Sequence, residues 1–197
     1  MERLRKLYRP VGLKELELII ATQSREFPPR LHWQPIFYPV LNFEYAADIA
    51  REWNVSDPAS GYCGFVTAFE LPEEYIETFE VRNVGGIHHN ELWVPAEDLK
   101  TFNQNIQGCI QVEAAFYGDQ YSGIVEATSF FGQLNAQAQF DLLCKADDLA
   151  LAEMIAQESV SVLVNFRYWQ QKGFDMAMLE RIKEVYIALY PELTLSF

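Results

Sequence analysis

The stretch HHNELWVPAEDL, from His88 to Leu99, holds the side chains of this chain that are best suited to acid–base chemistry. Successive side chains of a strand alternate between two faces, so Leu92 and Val94 share one face. The opposite face carries His89, Glu91 and Trp93. A carboxylate held in a cleft can act as a catalytic acid, and a histidine exchanges a proton near neutral pH. Glu91 and His89 are therefore candidate catalytic residues, with ordinary solvent exposure of Glu91 as the alternative.

Three further side chains are suited to binding an anionic or aromatic ligand. Arg9 lies between Tyr8 and Pro10, where the first predicted strand ends. In a chain this acidic we expect it to have a specific carboxylate or phosphate partner. Tyr38 in IFYPVL and Tyr45 in the following helix offer aromatic faces that either stack on a ligand ring or pack in or around the core. Both interpretations stay open at this point.

No metal site is predicted. His88 and His89 are adjacent in a strand, so their side chains point to opposite faces and serve one ion poorly. Cys63, Cys109 and Cys144 are widely spaced, and no pair has the close spacing of a zinc site. We interpret them as structural thiols of a protein in a reducing compartment.

The chain of 197 residues is acidic, with a formal net charge of −13, and half of its residues are hydrophobic. This charge argues against binding to nucleic acid, whose phosphates need clustered Lys and Arg, and against an anionic membrane surface. The sequence shows no run of about 18 apolar residues and no signal peptide at its start. We therefore expect a cytoplasmic protein that binds neither nucleic acid nor membrane.

Hydrophobic periodicity predicts the elements that must position these side chains. Up to Gly118 the predicted order is β-α-β-α-β-β-β-α-β, which indicates an α+β domain with mixed or antiparallel sheets. From residue 119 to residue 197 the pattern is helical and predicts about three helices. Their approximate bounds are Gln133–Lys145, Leu149–Gln170 and Met176–Tyr190. The sequence thus predicts two parts, residues 1–118 and 119–197.

A proline-rich loop, from Ser24 to Pro35, separates the first predicted helix from the second strand. It carries basic and aromatic side chains in a chain that is otherwise acidic, namely Arg25, Arg30, His32 and Trp33. Long loops are often functional, so this one is either a mobile lid over a pocket or a proline-stiffened crossover.

Five segments of the first part resemble a family of small bacterial proteins whose automated labels mention ADP-ribosylation. The segments are LYRPVGLKELELI, FPPRL, QPIFYPVLNFEYAADIAREWN, SGYCGFVTAFEL and HNELWVPAEDLKTFNQNI, and they lie between Leu7 and Gly118. More remotely, the order of elements resembles the ADP-ribosyltransferase fold. That resemblance implies an α+β fold with a split mixed or antiparallel sheet and short helices, followed here by an all-helical extension over residues 119–197.

The resemblance also implies roles for the residues at matching positions. Arg9 would bind the ribose or phosphates of NAD, and Tyr38 would stack on the nicotinamide. Tyr45, near the start of the next helix, is a further candidate for the binding site. Glu91 would bind the nicotinamide ribose and stabilise its oxocarbenium-like state as the glycosidic bond breaks. Transferases that modify arginine carry Gln or Glu where this chain has His89, so arginine is not the expected acceptor.

The expected function is transfer of ADP-ribose from NAD, as a substrate, to an unidentified acceptor, or hydrolysis of NAD. The alternative is a non-catalytic interaction module on the same scaffold. In that case the C-terminal helices would bind a partner protein or a second copy of the chain. The broadly apolar stretch from Val160 to Trp169 motivates this alternative.

Overall fold

The computed structural model describes residues 3–125 and 129–193. The chain divides into two compact units, Met1–Gly118 (unit 1) and Asp119–Phe197 (unit 2). In the described residues, unit 1 combines strands with short helices and unit 2 is helical. Every described strand pair is antiparallel. The predicted α+β class, with antiparallel sheets and C-terminal helices, is confirmed at this level.

The described residues of unit 1 form six strands and four α-helices. The strands are β1 (Leu4–Val11), β2 (Ile36–Phe37), β3 (Cys63–Pro72), β4 (Glu80–Asn83), β5 (Asn90–Pro95) and β6 (Gln107–Tyr117). The helices are α1 (Leu13–Ala21), α2 (Phe43–Asp48), α3 (Glu73–Ile76) and α4 (Leu99–Asn105). The strands form two three-stranded sheets, in the orders β1-β3-β6 and β2-β5-β4.

Hydrophobic periodicity predicts one helix over FEYAADIAREW with Trp53 mostly inward, but in the structure the helix changes its winding after Asp48. Residues Ile49–Trp53 form a π-helical turn, which holds more residues per turn than an α-helix and rotates the later side chains. Trp53, predicted to point mostly inward, is therefore 72% exposed, and that prediction is wrong. The turn packs tightly on Gly64 of β3. A Cβ added at this glycine would lie only 2.2 Å from the carbonyl oxygen of Ala50. Only glycine leaves room for this contact.

Val40 joins the two sheets. It exchanges two hydrogen bonds with Tyr8 of β1, of 2.9 and 2.7 Å, and it lies opposite Glu91 of β5. Residues directly opposite each other in an antiparallel pair project to the same face. Tyr8, Val40 and Glu91 therefore form a row on one face of the joined sheets. The side chain of Arg9, the next residue of β1, leaves the strand on the opposite face.

Beyond this junction the sheets separate, because Pro10 cannot continue the ladder. The next pair would join Pro10 to Tyr38, but proline has no N–H to donate to the Tyr38 carbonyl. The guanidinium of Arg9 donates to that carbonyl instead, at 3.2 Å. The carbonyl of Ile36, two residues earlier, accepts from Nε of Arg30, also at 3.2 Å. We call this gap between β1 and β2 the split. Arg9 and Arg30 supply the hydrogen bonds that a paired strand would otherwise donate there.

The segment IFYPVL, Ile36 to Leu41, reads from the sequence as one strand, but the strand is shorter in the structure. Its regular part, β2, ends at Phe37, and Val40 is an isolated bridge. Pro39 lacks the N–H that a continuous ladder to β5 would need, although its carbonyl still accepts from the N–H of Leu92 at 2.8 Å.

In residues 129–193, unit 2 contains four helices: α5 (Ala136–Cys144), α6 (Asp148–Gln157), α7 (Ser159–Gln171) and α8 (Met176–Leu189). The prediction of one helix over Leu149–Gln170 is wrong, because α6 and α7 meet at 104°. At the bend, the buried carboxylate of Glu158 accepts hydrogen bonds from the backbone N–H groups of Phe130 and Phe131. These bonds hold the chain in its bent path.

The apolar side chains of α7 lie in the core of unit 2. Val162, Phe166 and Trp169 are each at most 1% exposed there. Burial on several sides explains the broadly apolar pattern of this helix. In the described residues no single helix is long and apolar enough to cross a membrane, although α6 and α7 together meet that criterion by length and composition.

We predict that Arg9→Met lowers the free energy of unfolding by about 2–4 kcal/mol, because it leaves the Tyr38 carbonyl and the Glu15 carboxylate without their buried partner. Urea denaturation followed by circular dichroism measures the change. Lys14→Met is the matched control, since it removes the exposed ion pair with Glu17 and should cost far less. Equal losses in the two variants would contradict a structural role of Arg9 in the split.

Candidate functional site

The hairpin between β4 and β5 places His89 next to β5. The side-chain amide of Asn83 donates to the carbonyl of Gly86 and to the side chain of Asn90, which closes the hairpin. The backbone N–H of His89 donates to Gly86 at 3.1 Å. A Cβ added at Gly86 would lie 2.8 Å from the imidazole ring, so glycine makes room for the histidine side chain at this point.

Both carboxylate oxygens of Glu91 are held by hydrogen bonds. The phenol of Tyr45 donates to Oε1 at 3.0 Å, and the indole N–H of Trp93 donates to Oε2 at 3.1 Å. The side chain of Asn42 caps α2 by accepting from the backbone N–H of Tyr45, which fixes the start of the helix that presents this phenol. A carboxylate oxygen can accept two hydrogen bonds, so each keeps capacity for one from a ligand hydroxyl.

Tyr45 also connects Glu91 to His89. Its ring stacks on the imidazole with 4.3 Å between the ring centroids and 15° between the planes. Burial raises the pKa of Tyr45 to about 12, with a further contribution from its hydrogen bond to Glu91. The phenol therefore stays protonated, and remains a hydrogen-bond donor to Glu91, throughout the physiological pH range.

Trp93 extends the cluster toward β4 and β2. The guanidinium of Arg82 lies 3.7 Å above the centre of its ring, and Arg82 also forms an ion pair with Glu80 at 2.7 Å. Tyr38 meets the same indole edge to face, with 5.3 Å between the ring centroids. The register explains these contacts, since Arg82 lies opposite Glu91 and Glu80 lies opposite Trp93.

An open cleft of about 590 Å³ adjoins Trp93. Its lining combines aromatic rings with charged side chains, including Trp93, Tyr75, Phe79, Arg82, Glu80 and Asp98. Clefts of roughly 300–1,000 Å³ that combine apolar walls with a few polar groups are typical of small-molecule sites. Trp93 lines this cleft, and its indole N–H donates a hydrogen bond to Glu91, so it connects the cleft to the carboxylate.

The structure brings most of the predicted site residues together. Tyr45 contacts both Glu91 and His89, and Tyr38 reaches this group through the ring of Trp93. Arg9 does not join this cluster. Its side chain is 10% exposed, and its guanidinium lies over the ring of Phe37, at 4.6 Å from the ring centre.

The specific partner expected for Arg9 is a carboxylate, Glu15 of α1. Nε and Nη2 of Arg9 donate to its two oxygens at 2.7 and 3.1 Å. Such two-point pairing is the strongest arrangement available to a guanidinium and a carboxylate. In this structure the fork of Arg9 is therefore engaged by the protein itself.

Four neighbours of the site were not identified from the sequence: Trp93 as a donor to Glu91, Arg82 above Trp93, Glu15 on Arg9, and Arg30 in the split. The alternation of HHNELWV already placed Trp93 on the face of Glu91. The other three depend on strand register and on the path of the loop, which periodicity does not determine.

The proline-rich loop is tied down at its start. The backbone N–H and carbonyl of Phe27 bind the side chain of Asn103 at 3.0 and 2.9 Å. Its tip is open to solvent, with Trp33 64% exposed. These contacts fix the part of the loop that leads into Arg30.

In the described part of the chain, no group of three His, Cys, Asp or Glu side chains is placed to hold a metal ion. Comparisons of the chain with protein-family models, with curated proteins and with solved structures found no match. The geometry around Glu91 is therefore the basis for proposing a function.

We predict that Tyr45→Phe lowers the free energy of unfolding by about 1 kcal/mol at pH 7–9, because Glu91 loses one donor at a partly exposed site. The folded-state pKa of Tyr45, about 12, exceeds its ordinary value of 10.0. The protonated phenol of Tyr45 therefore makes its full contribution to the free energy of unfolding below about pH 10. This contribution is lost as the pH rises toward 12. Urea midpoints of both proteins across this range measure the difference.

Trp93→Phe is the control, since it removes the other donor to Glu91 but no titrating group. The loss of unfolding free energy caused by Trp93→Phe should stay constant between pH 8 and pH 11. The loss caused by Tyr45→Phe should become smaller above pH 10. A Tyr45→Phe difference that does not change with pH would contradict the raised pKa.

Proposed function

We propose that unit 1 is an ADP-ribosyltransferase-like domain that binds NAD, or a related nucleotide, beside Glu91. The observation that carries the proposal is the carboxylate of Glu91, whose two oxygens are oriented by Tyr45 and Trp93 next to an aromatic cleft. The resemblance of the first 118 residues supports the choice of NAD. The reaction is transfer of ADP-ribose to an acceptor, or hydrolysis of NAD when water takes the acceptor's place.

In this reaction the bond between the nicotinamide nitrogen and the ribose breaks, and nicotinamide leaves as a neutral molecule. The ribose then carries positive charge, which a fixed nearby carboxylate stabilises. Glu91 suits this role because its orientation is set before the ligand arrives. An acceptor hydroxyl or water adds to the ribose carbon and releases one proton to solvent or to a nearby base.

The neighbours of Glu91 have consistent roles in the proposal. Trp93 and Tyr38 present aromatic surfaces on which nicotinamide can stack. His89 lies on the other side of Tyr45 and can take the proton of the acceptor near neutral pH. The residue types around Glu91 favour an acceptor with a hydroxyl group or water over arginine.

We predict that Glu91→Gln lowers the rate of nicotinamide release from NAD by about 10²–10³-fold, because the neutral amide no longer stabilises the charged ribose. Chromatographic quantification of nicotinamide measures the rate. Glu113→Gln is the matched control, since this carboxylate also lies on a strand and forms an ion pair with Lys6. It should leave the rate unchanged.

Equal rates for the unaltered chain and Glu91→Gln would remove Glu91 from the mechanism. If the unaltered chain released no nicotinamide above the uncatalysed background, the catalytic proposal would fail as a whole. Urea midpoints of both variants show whether any loss of rate comes from unfolding instead.

The second candidate is a non-catalytic interaction module on the same scaffold. One observation favours it: two large apolar side chains of unit 2, Leu149 and Met176, are 82% and 63% exposed. An apolar side chain that is exposed in the single chain leaves water when it contacts another protein chain, which favours association. On this view the helices of unit 2 bind a partner protein or a second copy of the chain.

If unit 2 forms a contact between copies, light scattering of the full chain should report an oligomer. Leu149→Glu should then convert it to a monomer, because a charge would replace an apolar contact. Glu153→Gln, on the same helix, serves as the control and should leave the mass unchanged. A monomeric full chain would contradict self-association.

A further inference from the structure

Two carbonyls of the segment from Ile36 to Tyr38 face the split, and both accept hydrogen bonds from arginines. The neighbouring carbonyls of Pro35 and Pro39 accept from N–H groups on the β5 side, each at 2.8 Å. Successive carbonyls of a strand point in opposite directions, so those of Ile36 and Tyr38 point toward the split. Arg30 and Arg9, respectively, donate to them. The two contact points are two residues apart on one strand, or about 7 Å.

The two guanidinium groups differ in how fully they are used. Arg9 donates three of its five N–H groups, to both oxygens of Glu15 and to the Tyr38 carbonyl. Arg30 donates only from Nε, to Ile36. Its two terminal nitrogens make no hydrogen bond or ion pair with the residues that the structure describes. A half-buried arginine thus presents an unused fork.

The charge of the split is unbalanced. Among the residues that the structure describes, the one carboxylate that acts on both guanidinium groups is that of Glu15, which is engaged with Arg9. Burial lowers the pKa of Arg30, and the positive charge of Arg9 lowers it further. A net positive charge held partly out of water, in a chain with a net charge of −13, favours an anion beside Arg30.

We propose that the free fork of Arg30, beside Arg9 in the split, binds the diphosphate group of a nucleotide. Planar guanidinium groups match phosphate oxygens with two parallel hydrogen bonds, as Arg9 already does with the oxygens of Glu15. Tyr38 links this site to the proposed catalytic cluster, since its main chain contacts Arg9 and its ring contacts Trp93. The choice of a nucleotide as ligand rests on the proposed function; the anion site itself does not.

The test is isothermal titration calorimetry of the full chain with three probes: ADP, adenosine and inorganic pyrophosphate. We expect ADP to bind and Arg30→Gln to weaken that binding by at least 10-fold, while leaving any binding of adenosine unchanged. Arg30→Lys, which keeps the charge but not the fork, should give an intermediate loss. Arg25→Gln is the matched control from the same loop and should bind ADP like the unaltered chain.

Pyrophosphate distinguishes the sources of the anion. If pyrophosphate binds as tightly as ADP, the split is a general diphosphate site. If pyrophosphate binds more weakly, the nucleoside contributes as well. Either result supports the proposal if Arg30→Gln weakens the binding by at least 10-fold. Equal ADP affinity in the unaltered chain and a folded Arg30→Gln variant would overturn the proposal. So would a failure of ADP and pyrophosphate to bind at all.

This outcome is separable from that of the proposed function. ADP lacks the bond between nicotinamide and ribose, so it can bind through Arg30 even if the chain never cleaves NAD. Conversely, if Arg30→Gln releases nicotinamide from NAD with unchanged kcat and KM, Arg30 does not bind the diphosphate of NAD and the nucleotide assignment fails, while the role of Glu91 stands.

Discussion

Pro10 is the constraint on which the rest of unit 1 depends. It sits in β1 at the one position whose N–H would pair with the Tyr38 carbonyl, and its ring removes that donor. The ladder between the two sheets therefore stops after Tyr8 and Val40. A buried carbonyl without a partner is costly, so the structure needs other donors at this place. Arg9 and Arg30 supply them, and positive charge enters the interior of an acidic chain as a result.

The same junction also fixes the carboxylate. Val40 pairs with Tyr8 on one side and lies opposite Glu91 on the other, so the position of Glu91 follows from the position of β1. Helix α2 starts directly after this junction and carries Tyr45 to Oε1 of Glu91. The oriented carboxylate and the arginine-filled split are thus two consequences of one interrupted strand pairing. The split lies between β1 and β2, and the aromatic cleft adjoins Trp93 on the face of the sheet that also carries Glu91.

Part of this arrangement could be predicted from the sequence because it follows from periodicity. The alternation in HHNELWV placed Glu91 and Trp93 on one face, and the order of strands and helices gave the α+β class. The winding of Ile49–Trp53 could not be predicted from neighbouring residues. The π-helical turn accompanies a close contact between Ala50 and Gly64, which lies on β3. The bend at Glu158 was missed for a similar reason, because its hydrogen-bond donors lie more than 20 residues away.

For the arginines, too, the sequence predicts local properties but not their contacts with distant segments. The sequence indicated that Arg9 has an anionic partner, but only the fold identifies Glu15 as that partner. Arg30 gave no periodic signal, because it lies in a loop whose path is fixed by Phe27 and Asn103. Register and loop path are set by contacts between distant segments, which a window of neighbouring residues does not contain.

The proposed function and the proposed diphosphate site together require one nucleotide to span the split and the cluster around Glu91. A crystal structure of the full chain soaked with ADP-ribose tests it most directly. We expect diphosphate oxygens within hydrogen-bond distance of the terminal nitrogens of Arg30, with the ribose that would carry nicotinamide beside Glu91. ADP-ribose bound at another surface, or a fully occupied ligand that leaves Arg30 and Glu91 untouched, would contradict it.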